Sequence, residues 1–124
     1  MSEAQSNAVN DWMADYRKAW ESNDPSEIGA LFTDDALYYS EPFIEPSRGR
    51  EAIIAEWLKR QDAPGGFTFT WHPLAIANDI AFVQGETDYG DVKYSNLWVI
   101  RLSPDGRATE FTEWWMDQSK PSGG

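Results

Sequence analysis

Glu113 lies in the run Phe111-Thr-Glu-Trp-Trp115, where the two-residue period of a strand places it on one face with Phe111 and Trp115. A carboxyl flanked by aromatic rings is desolvated, the setting in which Asp and Glu serve as general acids or bases. The plainer alternative is that this aromatic face packs on a second subunit and Glu113 pairs with an Arg there. Glu86 and Asp88 stand two apart in another strand-like run and share a face with Phe82 and Gln84. If Glu86, Asp88 and Glu113 converge, three carboxylates in one cavity hold at least one proton near neutrality or require a cation. Otherwise Glu86 and Asp88 form a solvated acidic face beside Gly90. Asn96 and Trp98 alternate together and offer an amide and an indole N–H to a ligand; Leu97 and Val99, on the opposite face, are equally suited to a core. His72 is the only histidine. It faces the same way as Thr68 and Thr70 and reads as a rim or surface residue, and a lone imidazole excludes a two-histidine dyad and a zinc site built on several histidines. No serine stands in a nucleophile-elbow context, and no glycine loop is built to cradle phosphate.

Composition narrows the partners. Seven Trp, six Phe and five Tyr in 124 residues are more rings than a small core needs, so some are expected to line a ligand cavity or an interface. A net charge of −11 opposes binding to nucleic acid and gives no attraction to anionic lipid. The absence of cysteine excludes disulfides, thiolate metal sites and a cysteine nucleophile. Residues 1–10 lack the basic and apolar regions of a signal peptide, and no apolar run reaches membrane-spanning length, so a soluble, cytoplasmic protein is expected.

The elements that must position these side chains follow from periodicity. Val9, Trp12, Met13, Tyr16, Ala19 and Trp20 recur at three- and four-residue steps, one stripe of a long helix over 3–23. Asp24-Pro-Ser-Glu27 reads as a capping box opening a short helix that carries Ile28, Leu31 and Phe32. Thr33-Asp-Asp35 breaks it, and Ala36–Ser40 is predicted to be a strand with Tyr38 and Ser40 on one face. After a loop from Pro42 to Pro46, residues 49–60 form a third helix with Ile53, Ile54, Trp57 and Leu58 inward, and Gly65-Gly66 ends that region. Four strands then follow, 67–77, 80–89, 92–102 and 107–117, separated by turn signals at Asn78-Asp79, Gly90-Asp91 and Pro104-Asp-Gly106. The result is an α+β domain over 1–119 with a disordered tail over 120–124: three N-terminal helices packed in a curved, mostly antiparallel sheet. The last strand is apolar on both faces, with Trp114 and Met116 opposite Phe111 and Trp115, which predicts a homodimer through the outer sheet face.

Four segments carry a resemblance. Tyr16-Arg-Lys-Ala-Trp-Glu-Ser-Asn-Asp24, Leu31-Phe-Thr-Asp-Asp-Ala36, Arg48-Gly-Arg-Glu51 and Phe111-Thr-Glu-Trp-Trp115 resemble the NTF2-like superfamily, the cystatin-like cone, and its SnoaL-like polyketide cyclase group. That likeness implies the cone fold and a pocket, and it leaves the reaction open among isomerases, dehydratases, cyclases, epoxide hydrolases and non-catalytic carriers. Similarity to limonene-epoxide hydrolases implies a catalytic role for Glu113 and for Asp88 and Tyr38; the Arg and Asn of that machinery are replaced by Glu86 and Ser40. Tyr16 resembles the oxyanion-hole tyrosine of ketosteroid isomerases, whose base position falls on Ser40, with Glu41 one residue off, and whose second oxyanion donor falls near Asn96 or Trp98.

The combined expectation is a small-molecule-binding protein with cofactor-free and metal-free acid/base chemistry. Glu113 and Asp88 act as acid and base, Tyr38 and Tyr16 donate hydrogen bonds, and Ser40, Glu86, Asn96 and Trp98 orient ligand or water. Phe111, Trp115 and Trp57 supply apolar wall. The alternative is a binding or carrier module in which the same groups hold a ligand without converting it.

Overall fold

The computed structural model describes residues 3–40, 44–59 and 67–119. The elements run α1 (Glu3–Ser22), α2 (Pro25–Ala30), β1 (Phe32–Tyr39), β2 (Ser47–Arg48), α3 (Arg50–Lys59), β3 (Thr68–Ala77), β4 (Ile80–Asp88), β5 (Lys93–Leu102) and β6 (Ala108–Asp117). One mixed sheet takes the order β2-β1-β6-β5-β4-β3, with β1 parallel to β6 and every other pairing antiparallel. Register shifts interrupt the β1/β6, β3/β4 and β5/β6 pairings, and such irregularities bend strands and increase their twist. This is the α+β cone that the residues predicted. Among the described residues no helix is long and apolar enough to cross a membrane.

The α1 stripe is buried as its spacing requires: Val9, Trp12, Met13, Tyr16 and Ala19 are all nearly inaccessible. Asn23 adopts a positive φ of 54°, which its short polar side chain tolerates, and its N–H closes the helix on Ala19 O at 2.8 Å. Asp24 then caps α2. The Ser26 hydroxyl and N–H both donate to its carboxylate, which holds the carboxyl below its usual range. The reciprocal half of the expected capping box is not made: Asp24 N–H donates to Ser22 Oγ, and Glu27 pairs with Lys18 at 3.8 Å.

Three expectations need correction. Leu31 ends α2 as its C-cap, and Phe32 already belongs to β1, so Thr33-Asp-Asp35 is part of an irregular strand and not a break before it. The anchor is tertiary: Leu31 O accepts from Ala108 N–H at 2.7 Å and from Trp12 Nε1–H at 3.0 Å. The two-residue strand β2 was not foreseen, because only pairing with Leu37 and Tyr38 defines it. The third helix begins at Arg50, since Gly49 takes a φ of 88° and donates to Ala36 O. Expectations placed on Glu41, Pro42, Arg60 as the end of the third helix, Gly65, Gly66 and residues 120–124 lie outside the described residues.

Gly85 marks the inner face of β4. A Cβ there would meet Thr70 O at 2.3 Å and the Trp98 ring at 2.5 Å, so glycine is what lets the indole lie against the strand. Gly85→Ala is therefore expected to destabilise the fold by about 1–3 kcal/mol through overpacking, read as a lower urea midpoint; an unchanged midpoint would contradict the close approach.

Candidate functional site

Alternation along β6 and β5 carries Glu113 and Trp98 to the same inner face, where they are direct cross-strand partners. Helix α1 lays Tyr16 over them, and β1, running parallel to β6, sets Tyr38 opposite Phe111. Three donors from three elements converge on one carboxylate. Glu113 Oε2 accepts from Tyr16 Oη–H at 2.8 Å and from Trp98 Nε1–H at 3.1 Å, and Oε1 accepts from Tyr38 Oη–H at 2.7 Å. A carboxylate offers roughly four acceptor positions; three are filled, and the open one is on Oε1.

The neighbours hold these donors still. Tyr16 packs its ring against six others, those of Trp12, Trp20, Trp57, Phe69, Trp98 and Phe111. Each such contact adds about 0.5–1.5 kcal/mol beyond burial. Burial raises the Tyr16 pKa well above the ordinary tyrosine value, and the charge of Glu113 adds to that shift. Tyr16 is thus held as a neutral donor and not as a base.

Above this cluster lies a cavity of about 710 Å³. Tyr16, Tyr38 and Glu113 contribute to its floor, and Ser40, Trp57, Asn96 and Trp115 line it as well. Trp57 is steadied by its Nε1–H donating to Asn23 Oδ1 at 3.2 Å. Asn96 is only 5% exposed; its Oδ1 accepts from Thr87 Oγ1–H at 2.7 Å, and its amide nitrogen has no partner among the described residues. The undecided orientation of β5 is thereby resolved, with Asn96 and Trp98 inward.

Several expected roles change. Glu86 and Asp88 do not join Glu113: they lie on the outer face of β4, where Glu86 accepts from Gln118 and Asp88 caps the following turn through Gly90 N–H. The inner face of β4 is instead Ala81, Val83, Gly85 and Thr87, because Val83 and Gly85 are the partners of Trp98 and Asn96. The three-carboxylate cluster is therefore not formed, and among the described residues no group of acidic or histidine side chains could hold a metal ion. Trp98 and Phe111 are fully buried and do not line the cavity; Trp98 spends its N–H on Glu113, and Phe111 is core. The phenols of Tyr16 and Tyr38, expected to face a ligand, donate to Glu113. His72 is exposed, as its face predicted.

Sequence reasoning missed Thr87, Trp20, Tyr89 and Tyr94 as cavity residues. One signal was available for Thr87. An isolated glycine inside a strand marks a close approach, so Gly85 identifies the packed face and puts Thr87 on it.

The SnoaL-like domain model matches residues 13–117. No curated protein matches the sequence. Among solved structures, an NTF-2 like protein of unknown function from Burkholderia xenovorans superposes with a TM-score of 0.74 at 14% identity, over 96% of this chain and 91% of that one. A ketosteroid isomerase-like protein from Erwinia carotovora atroseptica gives 0.69 at 16% identity, over 97% and 100%. A steroid delta-isomerase from Pseudomonas aeruginosa gives 0.64 at 22% identity, over 92% and 82%. At these identities the likeness is one of fold, and it agrees with the element order and the cone. With a family model covering all but the ends of the sequence, the chain belongs to the SnoaL-like domain family.

Proposed function

We propose that this protein binds a mostly apolar small molecule and converts it by cofactor-free acid/base chemistry in which Glu113 moves the proton. The observation that carries this reading is the convergence of Tyr16, Tyr38 and Trp98 on the Glu113 carboxylate at the floor of the cavity. The donors fix the carboxylate and leave one acceptor position on Oε1 for a substrate proton. Asn96 stands diagonally across the β5/β6 pairing from Glu113, a separation of about 7–8 Å between such positions. Its free amide N–H groups suit the oxygen on which negative charge develops when a neighbouring carbon or water loses a proton. Isomerisation fits this arrangement, because one carboxylate takes a proton from one carbon and returns it to another. The name of the steroid delta-isomerase among the structural relatives is in keeping with that chemistry. Ser40 is assigned to substrate orientation, and Trp57 and Trp115 to the apolar wall.

A carrier reading is favoured by one feature, that three of the four acceptor positions of Glu113 are already filled. Wild type and Glu113→Gln, each screened against enones, lactones and epoxides, separate the two. Turnover by the wild type and its loss in the variant supports acid/base catalysis; ligand protection against unfolding with turnover in neither supports the carrier.

A homodimer through the outer sheet face belongs to the same proposal. Trp114 and Met116 are 42% and 61% exposed there, beside the half-buried Leu97 and Val99. Light scattering at micromolar concentration is expected to give twice the chain mass, and a monomer mass would count against the dimer.

A further inference from the structure

The cavity carries a charge pattern that the acid/base reading leaves unused. Its described walls present four carboxylates, Glu45, Glu56, Asp91 and Glu113, and no Lys, Arg or His. Two of these have cations beside them: Glu45 pairs with Arg48 at 3.1 Å and Glu56 with Lys59 at 3.8 Å. Glu113 is met by neutral donors alone. Asp91, exposed in the turn between β4 and β5, makes no ion pair among the described residues.

Aromatic rings share these walls. Tyr89, Tyr94, Trp57 and Trp115 line the cavity, with Tyr89 and Tyr94 edge to face at 5.7 Å and 88°. Ring faces carry negative potential, so rings and carboxylates favour the same guest, a cation. An anion entering here finds no counter-charge among the described walls and moves against the field of a chain with net charge −11. Deeper in, Asn96 adds a different demand. It is 5% exposed and lines the cavity, and with Oδ1 occupied by Thr87 its amide N–H groups, unpartnered and open to the cavity, are placed to donate to an acceptor on the guest. Two residues of β5, roughly 7 Å, separate Asn96 from Tyr94.

We infer that the cavity takes a protonated amine: a ring-bearing molecule whose ammonium sits among Tyr89, Tyr94, Trp115 and Asp91, and whose other end presents an acceptor to Asn96. This deepens the acid/base reading by naming a substrate class for the same cavity. Three probes built on a methoxynaphthalene, whose ether oxygen offers Asn96 an acceptor, isolate the charge: the ethylamine, the ethanol and the acetate derivatives. Calorimetric titration is expected to show the amine binding about tenfold tighter than the alcohol, with the carboxylate weakest. Asp91→Asn, in an exposed turn, removes most of the amine's advantage and leaves the alcohol's affinity unchanged. A carboxylate that binds as tightly as the amine, an amine no tighter than the alcohol, an Asp91→Asn variant with the full preference, or no binding by any probe overturns the inference. These are binding results, independent of turnover by Glu113, so each reading fails by its own measurement.

Discussion

Glu113→Gln is expected to lower turnover about 10²–10⁴-fold, the usual contribution of a positioned acid or base, while the protein still folds. The hydrogen-bond geometry explains why both halves of that result belong together. An amide oxygen in the place of Oε2 still accepts from Tyr16 and from Trp98, whose indole can only donate. The amide nitrogen then faces Tyr38, whose hydroxyl can turn to accept from it. Glu113→Leu offers no acceptor, and each donor left unsatisfied costs about 1–3 kcal/mol, so the leucine variant is expected to lose stability where the glutamine variant keeps most of it.

Tyr16 reports on the same substitution. Its pKa is raised first by burial and then by the Glu113 charge and hydrogen bond. Removing the charge leaves burial in place, so Tyr16 in Glu113→Gln titrates at lower pH than in the wild type, yet above an ordinary tyrosine. The linkage has a definite sign. A phenol with a raised folded pKa costs no stability below its unfolded value of about 10, and stability falls as pH rises from there toward the folded pKa. The wild type is expected to lose stability on that alkaline limb, and Tyr16→Phe to lose less. Phenolate absorbance and urea unfolding followed across alkaline pH measure both effects. A Tyr16 titration unmoved by Glu113→Gln, or wild-type turnover in that variant, would sink the assignment.

The second large effect is on the fold. Trp98→Ala is expected to destabilise the protein by about 3–5 kcal/mol, the range for deleting a fully buried aromatic side chain. Against a domain stability of about 5–15 kcal/mol this is a large fraction. Trp98 is 0% exposed, packs against Tyr16 and Phe69 with ring centroids at 6.2 and 6.0 Å, and supplies one of the three donors to Glu113. The urea midpoint is expected to fall with little change in slope. Because the indole lies over Gly85, the two sites must be coupled: Gly85→Ala should cost less in the Trp98→Ala background than in the wild type, by about 0.5–3 kcal/mol. Additive losses would show that the ring and the glycine do not share the space.

Where sequence reasoning succeeded, the signal was local. The three- and four-residue steps from Val9 to Trp20 mark a helical stripe by themselves. Asn78-Asp79, Gly90-Asp91 and Pro104-Asp-Gly106 locate the turns of the meander because few residues suit those backbone angles. Where it failed, the missing quantity was a relation between elements. Strand alternation sorts Glu86 and Asp88 from Gly85 and Thr87, but it does not say which set faces the helices. Both sets carry polar groups, and burial of apolar surface has no directional preference within a single strand.

Local periodicity sets the order of elements and the faces within each one: Tyr16 on the α1 stripe, Tyr38 with Ser40, Asn96 with Trp98, and Glu113 between Phe111 and Trp115. Packing between elements brings Tyr16, Tyr38 and Trp98, which lie 97, 75 and 15 residues from Glu113, to place their donors on its carboxylate. It also turned Glu86 and Asp88 away to the outer face. Periods of 2 and 3.6 residues are properties of a single element, whereas the rotation of one element against the next is set by packing, here by the Trp98 ring against Gly85.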